Sequence, residues 1–152
     1  MKRGKTLYLD VCALQRPYDD LEVIRNEIET AAVYLILSLS ALGEYTLYHS
    51  PVHDMEIRRN PDPVVSSALM RILESQAKDV KPLIKTDTLV ERARDFISRG
   101  IRNLDALHLA HAEQTGAAFI TCDDDLLKKC KKEKLEIWTG GPIDFLRSEA
   151  RL

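Results

Sequence analysis

The 152 residues match the usual size of one domain and are enough to bury a core without a disulfide or a structural metal. A hydrophobic share of 45% beside 30% charged residues excludes a disordered or fibrous chain, and the net charge of −2 announces no polyanion partner. Three cysteines, Cys12, Cys122 and Cys130, are an odd number without zinc spacing, which excludes a disulfide framework and predicts reduced thiols in a cytoplasmic protein.

In chain order, no secretory signal is visible, because Met1 to Gly4 runs straight into Thr6 to Asp10, a short strand pattern ending in a carboxylate. Arg16 to Asp20 is turn chemistry. From about Glu22 to Leu42 apolar residues fall at Ile24, Ile28, Ala31, Leu35, Leu39 and Leu42, which predicts a helix buried on that stripe and capped by Gly43. Its apolar run, Ala31 to Leu42, is too short to span a bilayer. Tyr45 to His49 reads as a second strand. Pro51 opens a short helix carrying Glu56, and Pro63 begins another that runs to about Lys78. Val80 to Lys85 reads as a third strand.

Thr86 or Asp87 caps a helix to Ser98, and Asn103 or Leu104 starts one that ends before Gly116. Ala117 to Thr121 is a fully apolar fourth strand. Asp123 to Asp125 open a lysine-rich helix, Leu135 to Trp138 reads as a fifth strand, and Gly140-Gly141-Pro142 leads into a last helix, Ile143 to Ala150. Strands alternating with helices predict an α/β protein with a parallel sheet covered on both faces, one domain over residues 1–152.

Ligands of open α/β sheets bind beyond the carboxyl ends of the strands. Asp10 ends the first strand, and Asp123 follows the fourth. Asp105 lies in the first turn of the helix before that fourth strand, and Glu56 in the helix after the second. Four acids gathered there repel one another unless a cation joins them. Oxygen donors without a His or Cys set suit Mg²⁺ or Mn²⁺ rather than zinc. Asp54 competes with Glu56, and Asp125 is the reserve for Asp123. Two of these neighbours have other readings: one of the three aspartates caps the helix, and Asp124 is solvated. His108 and His111, three apart, read as structural. A phosphate-accepting domain needs an acidic pair or DxD after the first strand, which Asp10-Val11-Cys12 does not supply.

Leu7-Tyr-Leu-Asp-Val-Cys-Ala-Leu-Gln-Arg-Pro17 resembles the first motif of the PIN-domain ribonucleases, a family that includes VapC-type toxins. Leu104-Asp-Ala-Leu-His-Leu-Ala110 is similar to the third motif, and Phe119-Ile-Thr-Cys-Asp-Asp-Asp-Leu-Leu-Lys128 to the fourth. The resemblance spans about residues 6 to 145. It implies a three-layer α/β/α sandwich whose central sheet of four to five parallel strands runs 3-2-1-4-5. It implies Asp10, Glu56, Asp105 and Asp123 as catalytic and metal-site acids, with Thr121 orienting a carboxylate; Asp125 stays the reserve metal ligand. Cys12 stands where the family commonly has Asn, Ser or Thr. The implied activity is hydrolysis of RNA phosphodiesters by a Mg²⁺- or Mn²⁺-dependent endoribonuclease, the toxin of a type II pair. RNA, an antitoxin covering the acidic groove and a second copy in a homodimer are the implied partners. Arg16, Arg58, Arg59, Lys128 and Lys129 are candidate RNA contacts. The alternative is a PIN-like RNA- or protein-binding module with weak or no turnover.

Overall fold

The computed structural model describes residues 4–152. Five strands form one parallel sheet: β1 Lys5–Leu9, β2 Tyr45–His49, β3 Ala77–Asp79, β4 Ala118–Ile120 and β5 Thr139–Gly140. Their spatial order is β3-β2-β1-β4-β5, the order implied above. Leu7 faces Leu47 on one side and Ala118 on the other, so β1 lies at the centre of the sheet.

Side chains alternate across the sheet, and both faces are buried. Leu7, Leu9, Leu47 and Ile120 pack to one face, with α1 (Val11–Gln15), α2 (Ile24–Ala41), α4 (Pro63–Gln76) and α8 (Pro142–Ser148). Tyr8, Tyr48 and Phe119 pack to the other face, with α5 (Thr86–Ser98), α6 (Asn103–Thr115) and α7 (Asp124–Lys132). The short helix α3 (Pro51–Arg58) follows β2 at the carboxyl end of the sheet. Gly116 closes α6 with φ of 73°, a left-handed conformation that favours glycine.

Three expectations are corrected. The third strand is Ala77–Asp79, not Val80 to Lys85. Val80 is buried as the chain leaves the sheet, and Pro82 sits in a 3₁₀ turn, Lys81–Leu83. Ala77-Lys78-Asp79 has little strand preference and is held by parallel pairing to β2. The fifth strand is Thr139–Gly140, not Leu135 to Trp138. Only the last residue of that run joins the ladder, where the Trp138 carbonyl accepts from Phe119 N–H at 2.8 Å.

The third correction is the buried face of α2. Ala32, Val33, Ile36 and Leu37 enter the core. Ile24, Ile28, Ala31, Leu35 and Leu42 are exposed, Ile24 at 72% and Leu42 at 79%, and Leu39 is half-buried. The helix is apolar on two sides, so spacing alone admits either stripe. Val11–Gln15, to which the sequence assigns no element, is the five-residue helix α1, and a 3₁₀ turn, Arg16–Tyr18, lies within the turn expected at Arg16 to Asp20.

Candidate functional site

The site lies where the carboxyl ends of β1 and β4 meet the starts of α1, α6 and α7. Asp10 caps α1, its Oδ1 accepting the Ala13 N–H at 2.9 Å. Asp123 caps α7 in the same way, its Oδ1 accepting from Asp125 N–H at 3.0 Å and Leu126 N–H at 3.1 Å. Each carboxylate is therefore fixed by the helix that it starts. Asp105 sits in the first turn of α6, half-buried, with no hydrogen-bond or ion-pair partner among the described residues. Glu56, on α3, meets His108 of α6, with Oε2 at 2.6 Å from Nε2.

These four acids line one cleft of about 410 Å³ together with Cys12, Arg102, Asn103 and Leu104. A second space of about 290 Å³ shares Asp105, Asp123 and Arg102 and adds Asp125, Lys128, Lys129 and Lys132. Carboxylates thus face one part of the groove, and cations border its continuation along α7.

The electrostatics follow from burial. Asp10 is 3% exposed, and desolvation pushes its carboxyl from 3.8 up to about 7, against the lowering effects of Thr121, His108 and the Ala13 N–H. Burial also raises Asp105, and the charge of Asp123 raises it further, while His108 and Arg102 hold it down. Thr121 is buried between the two strand-end acids. It accepts the Asp123 N–H at 3.1 Å through Oγ1 and favours the ionised form of Asp10.

The remaining predicted residues fall outside this groove. Asp54 is bonded to His49 Nε2 at 2.5 Å, which leaves Glu56 as the acid of α3 in the cleft. Asp124 is exposed but not simply solvated, because it is paired with Arg25. Arg16 is bound to Asp19 at 2.9 Å and Glu29 at 3.3 Å. Arg58 and Arg59 close α3, are exposed and do not line the groove. His111 gives its Nδ1–H to the Leu107 carbonyl at 2.7 Å, a local structural bond. Arg102 is not singled out in the sequence and carries no signal beyond preceding Asp105, and Asn103 reads only as a helix start. Lys132 belongs to the run of five lysines in seven positions for which an RNA-steering role stands beside that of a solvated face.

The donor chemistry fits a hard divalent ion. The four side chains offer oxygen only, and a cation would relieve the cost of holding Asp105 beside Asp123. Among the described residues no three His, Cys, Asp or Glu side chains close around one point as a finished metal cage. An open arrangement of this kind suits an ion that keeps several waters and takes only one or two carboxylates directly.

The family model described as PIN domain matches residues 20–132 of the chain. Among solved structures, the fold is similar to VapBC2 from Rickettsia felis, described as bound to a DNA fragment from their promoter. That likeness has a TM-score of 0.57 and 15% identity, covering 90% of this chain and 98% of that one. It is also similar to FitAcB from Neisseria gonorrhoeae, with a TM-score of 0.54 and 13% identity over the same shares. No curated protein sequence matches the chain. At these identities the two structures bear on the fold alone.

Proposed function

The chain belongs to the PIN domain family, and from that premise we propose that it is a metal-dependent endoribonuclease, the toxin of a type II toxin–antitoxin pair. The observation that carries the reading is the convergence of Asp10, Glu56, Asp105 and Asp123, from four separate elements, on one cleft.

In this reading Asp10, Asp105 and Asp123 hold Mg²⁺ or Mn²⁺, with Asp125 in reserve. When bound, such an ion polarises the phosphate and lowers the pKa of water. The chain's own residues supply the rest. Glu56 holds the attacking water or adds a further oxygen donor. Thr121 keeps Asp10 and Asp123 in register, and the caps of α1 and α7 prevent either carboxylate from turning away. Arg102, Lys128, Lys129 and Lys132 border the groove and draw in the RNA backbone. Phosphate contacts position a strand without reading its bases, so these cations guide the RNA backbone rather than select a sequence.

An antitoxin segment that places a cation among the four acids is the fitting inhibitor. The exposed apolar side of α2, with Ile24, Ile28 and Leu35, supports association with a second copy or with that antitoxin. No described helix is long and apolar enough to cross a membrane. We place the protein in the cytoplasm, folded as one domain.

The second reading, a binding module without turnover, is favoured by Cys12 in the cleft and by the bond that engages Glu56 with His108. Incubating purified chain and RNA with Mn²⁺, with and without chelator, separates the two. Cleavage that needs the ion and is lost in Asp10→Asn supports the nuclease. Intact RNA, or cleavage unchanged in that variant, removes it.

A further inference from the structure

A buried polar chain runs from the interior of the sheet to Glu56. Tyr8 on β1 and His108 on α6 are fully buried, and Ser50, which caps α3, is 1% exposed. The Tyr8 hydroxyl lies 2.6 Å from Ser50 Oγ and 2.5 Å from His108 Nδ1. The opposite ring nitrogen, Nε2, reaches Glu56 Oε2 at 2.6 Å. A phenol, a hydroxyl and an imidazole in an otherwise apolar layer cost free energy unless each is bonded, and here each is.

The directions of these bonds follow from the partners. A carboxylate only accepts, so Nε2 carries a hydrogen and donates it to Glu56. Tyr8 donates to or accepts from Nδ1 as the ring requires, because its hydroxyl does both and Ser50 answers on the far side. His53 holds the assembly in place. Its ring stacks on Tyr8 with centroids 4.6 Å apart, and Nδ1 accepts the Ser50 N–H at 3.0 Å. His53 Nε2–H donates to the carbonyl of Leu9, the residue before Asp10, at 2.7 Å. One cluster thus supports the orientation of Glu56 and the strand end that carries Asp10.

We propose that His108 is a positioning residue whose Nε2–H, set by Tyr8 and Ser50, fixes the Glu56 carboxylate in the cleft. The task assigned to Glu56 rests on the nuclease reading above, whereas the link between the two side chains does not. A glutamate has three rotatable bonds and loses more freedom on ordering than most side chains. A rigid donor behind it selects one arrangement before substrate arrives. An arginine in that place would bring a permanent charge and compete with a cation; the imidazole orients the carboxylate through one directed N–H.

Two amides at position 108 separate positioning from packing. The nitrogen of Gln reaches about as far as Nε2, and that of Asn about as far as Nδ1. His108→Gln is expected to keep kcat within about threefold, while His108→Asn loses about 10- to 100-fold, as other outer supports of a metal site do. KM for RNA and the thermal midpoint should be alike in the two variants. In the metal-free chain the long-range ¹H–¹⁵N spectrum should show a hydrogen on His108 Nε2, and Glu56→Gln should shift that resonance. Should His108→Asn fail to fold, Tyr8→Phe approaches from the buried end and should lower kcat at unchanged KM. Equal losses in the two position-108 variants, full kcat in Tyr8→Phe, or a hydrogen confined to Nδ1 overturns the proposal. A wild-type chain that leaves RNA intact removes the nuclease reading alone, and the spectrum then decides whether His108 holds Glu56.

Discussion

Asp124 receives two guanidinium nitrogens of Arg25, at 2.6 and 2.9 Å, while its sequence neighbours Asp123 and Asp125 line the groove. Three consecutive aspartates are thereby divided between two tasks. Asp124→Asn should leave RNA cleavage within about twofold and stability within about 1 kcal/mol, since the pair is exposed. Asp123→Ala should lose cleavage and also about 1 kcal/mol, because it removes the cap of α7. Cleavage rates and urea midpoints of both variants test the division. Strong loss in Asp124→Asn would contradict it.

Asp10→Asn keeps an oxygen for the Ala13 N–H and removes the charge. Losing several kcal/mol of charge stabilisation corresponds to a fall in cleavage of roughly a thousandfold. Circular dichroism should show an unchanged fold. A variant that cleaves like wild type excludes Asp10 from the chemistry.

The same substitution should reshape the stability–pH curve of the metal-free chain. Asp10, held at about 7 in the fold against 3.8 outside it, favours the folded state at low pH, and that stability is lost as pH rises towards 7. The full effect is about 4 kcal/mol, since burial is complete. Asp105 works in the same direction. His53 and His111 work in the opposite one. Burial lowers both below 6.5, so their contribution is present above that pH and lost as pH falls through it. Without Asp10 the histidines dominate, and the thermal midpoint should fall more steeply between pH 6.5 and 5 in Asp10→Asn than in wild type. Parallel curves, recorded in chelator, would show that Asp10 does not titrate in this window.

Metal binding should release protons. An ion needs Asp10 ionised, and burial keeps that carboxyl protonated up to about 7. Mn²⁺ affinity should therefore rise from pH 5.5 to 8, with close to one proton released per ion at the lower end. Calorimetry in two buffers of different ionisation enthalpy measures the release directly. Pronounced weakening of Mn²⁺ binding with rising pH would contradict the ligand assignment.

Arg102 borders both spaces of the groove. Arg102→Ala should raise KM for RNA and leave kcat near wild type, the pattern of an interaction equal in ground and transition states. It should also lower the slope of log affinity against log salt by about one. A loss confined to kcat would place Arg102 on the reacting phosphate instead.

Much of this was legible in the sequence because it rests on local chemistry. β1, β2 and β4 announce themselves by apolar runs, and Asp10 and Asp123 by standing at strand ends ahead of helices. Ala77-Lys78-Asp79 gives no such sign, because the backbone of β2 rather than its own side chains makes it a strand. On α2 both candidate stripes are apolar, and only packing against the sheet selects Ala32, Val33, Ile36 and Leu37. The tie between His108 and Glu56 joins residues 52 apart and depends on how α3 meets α6. No spacing rule reports such a contact.

Asp10, Glu56, Asp105 and Asp123 stand on segments that no short excised fragment could contain together. An ion bridging them would act as a staple across most of the chain, present only in the folded ensemble. Saturating Mn²⁺ would then slow proteolysis at sites far from the cleft as well as near it, since binding favours the folded ensemble as a whole.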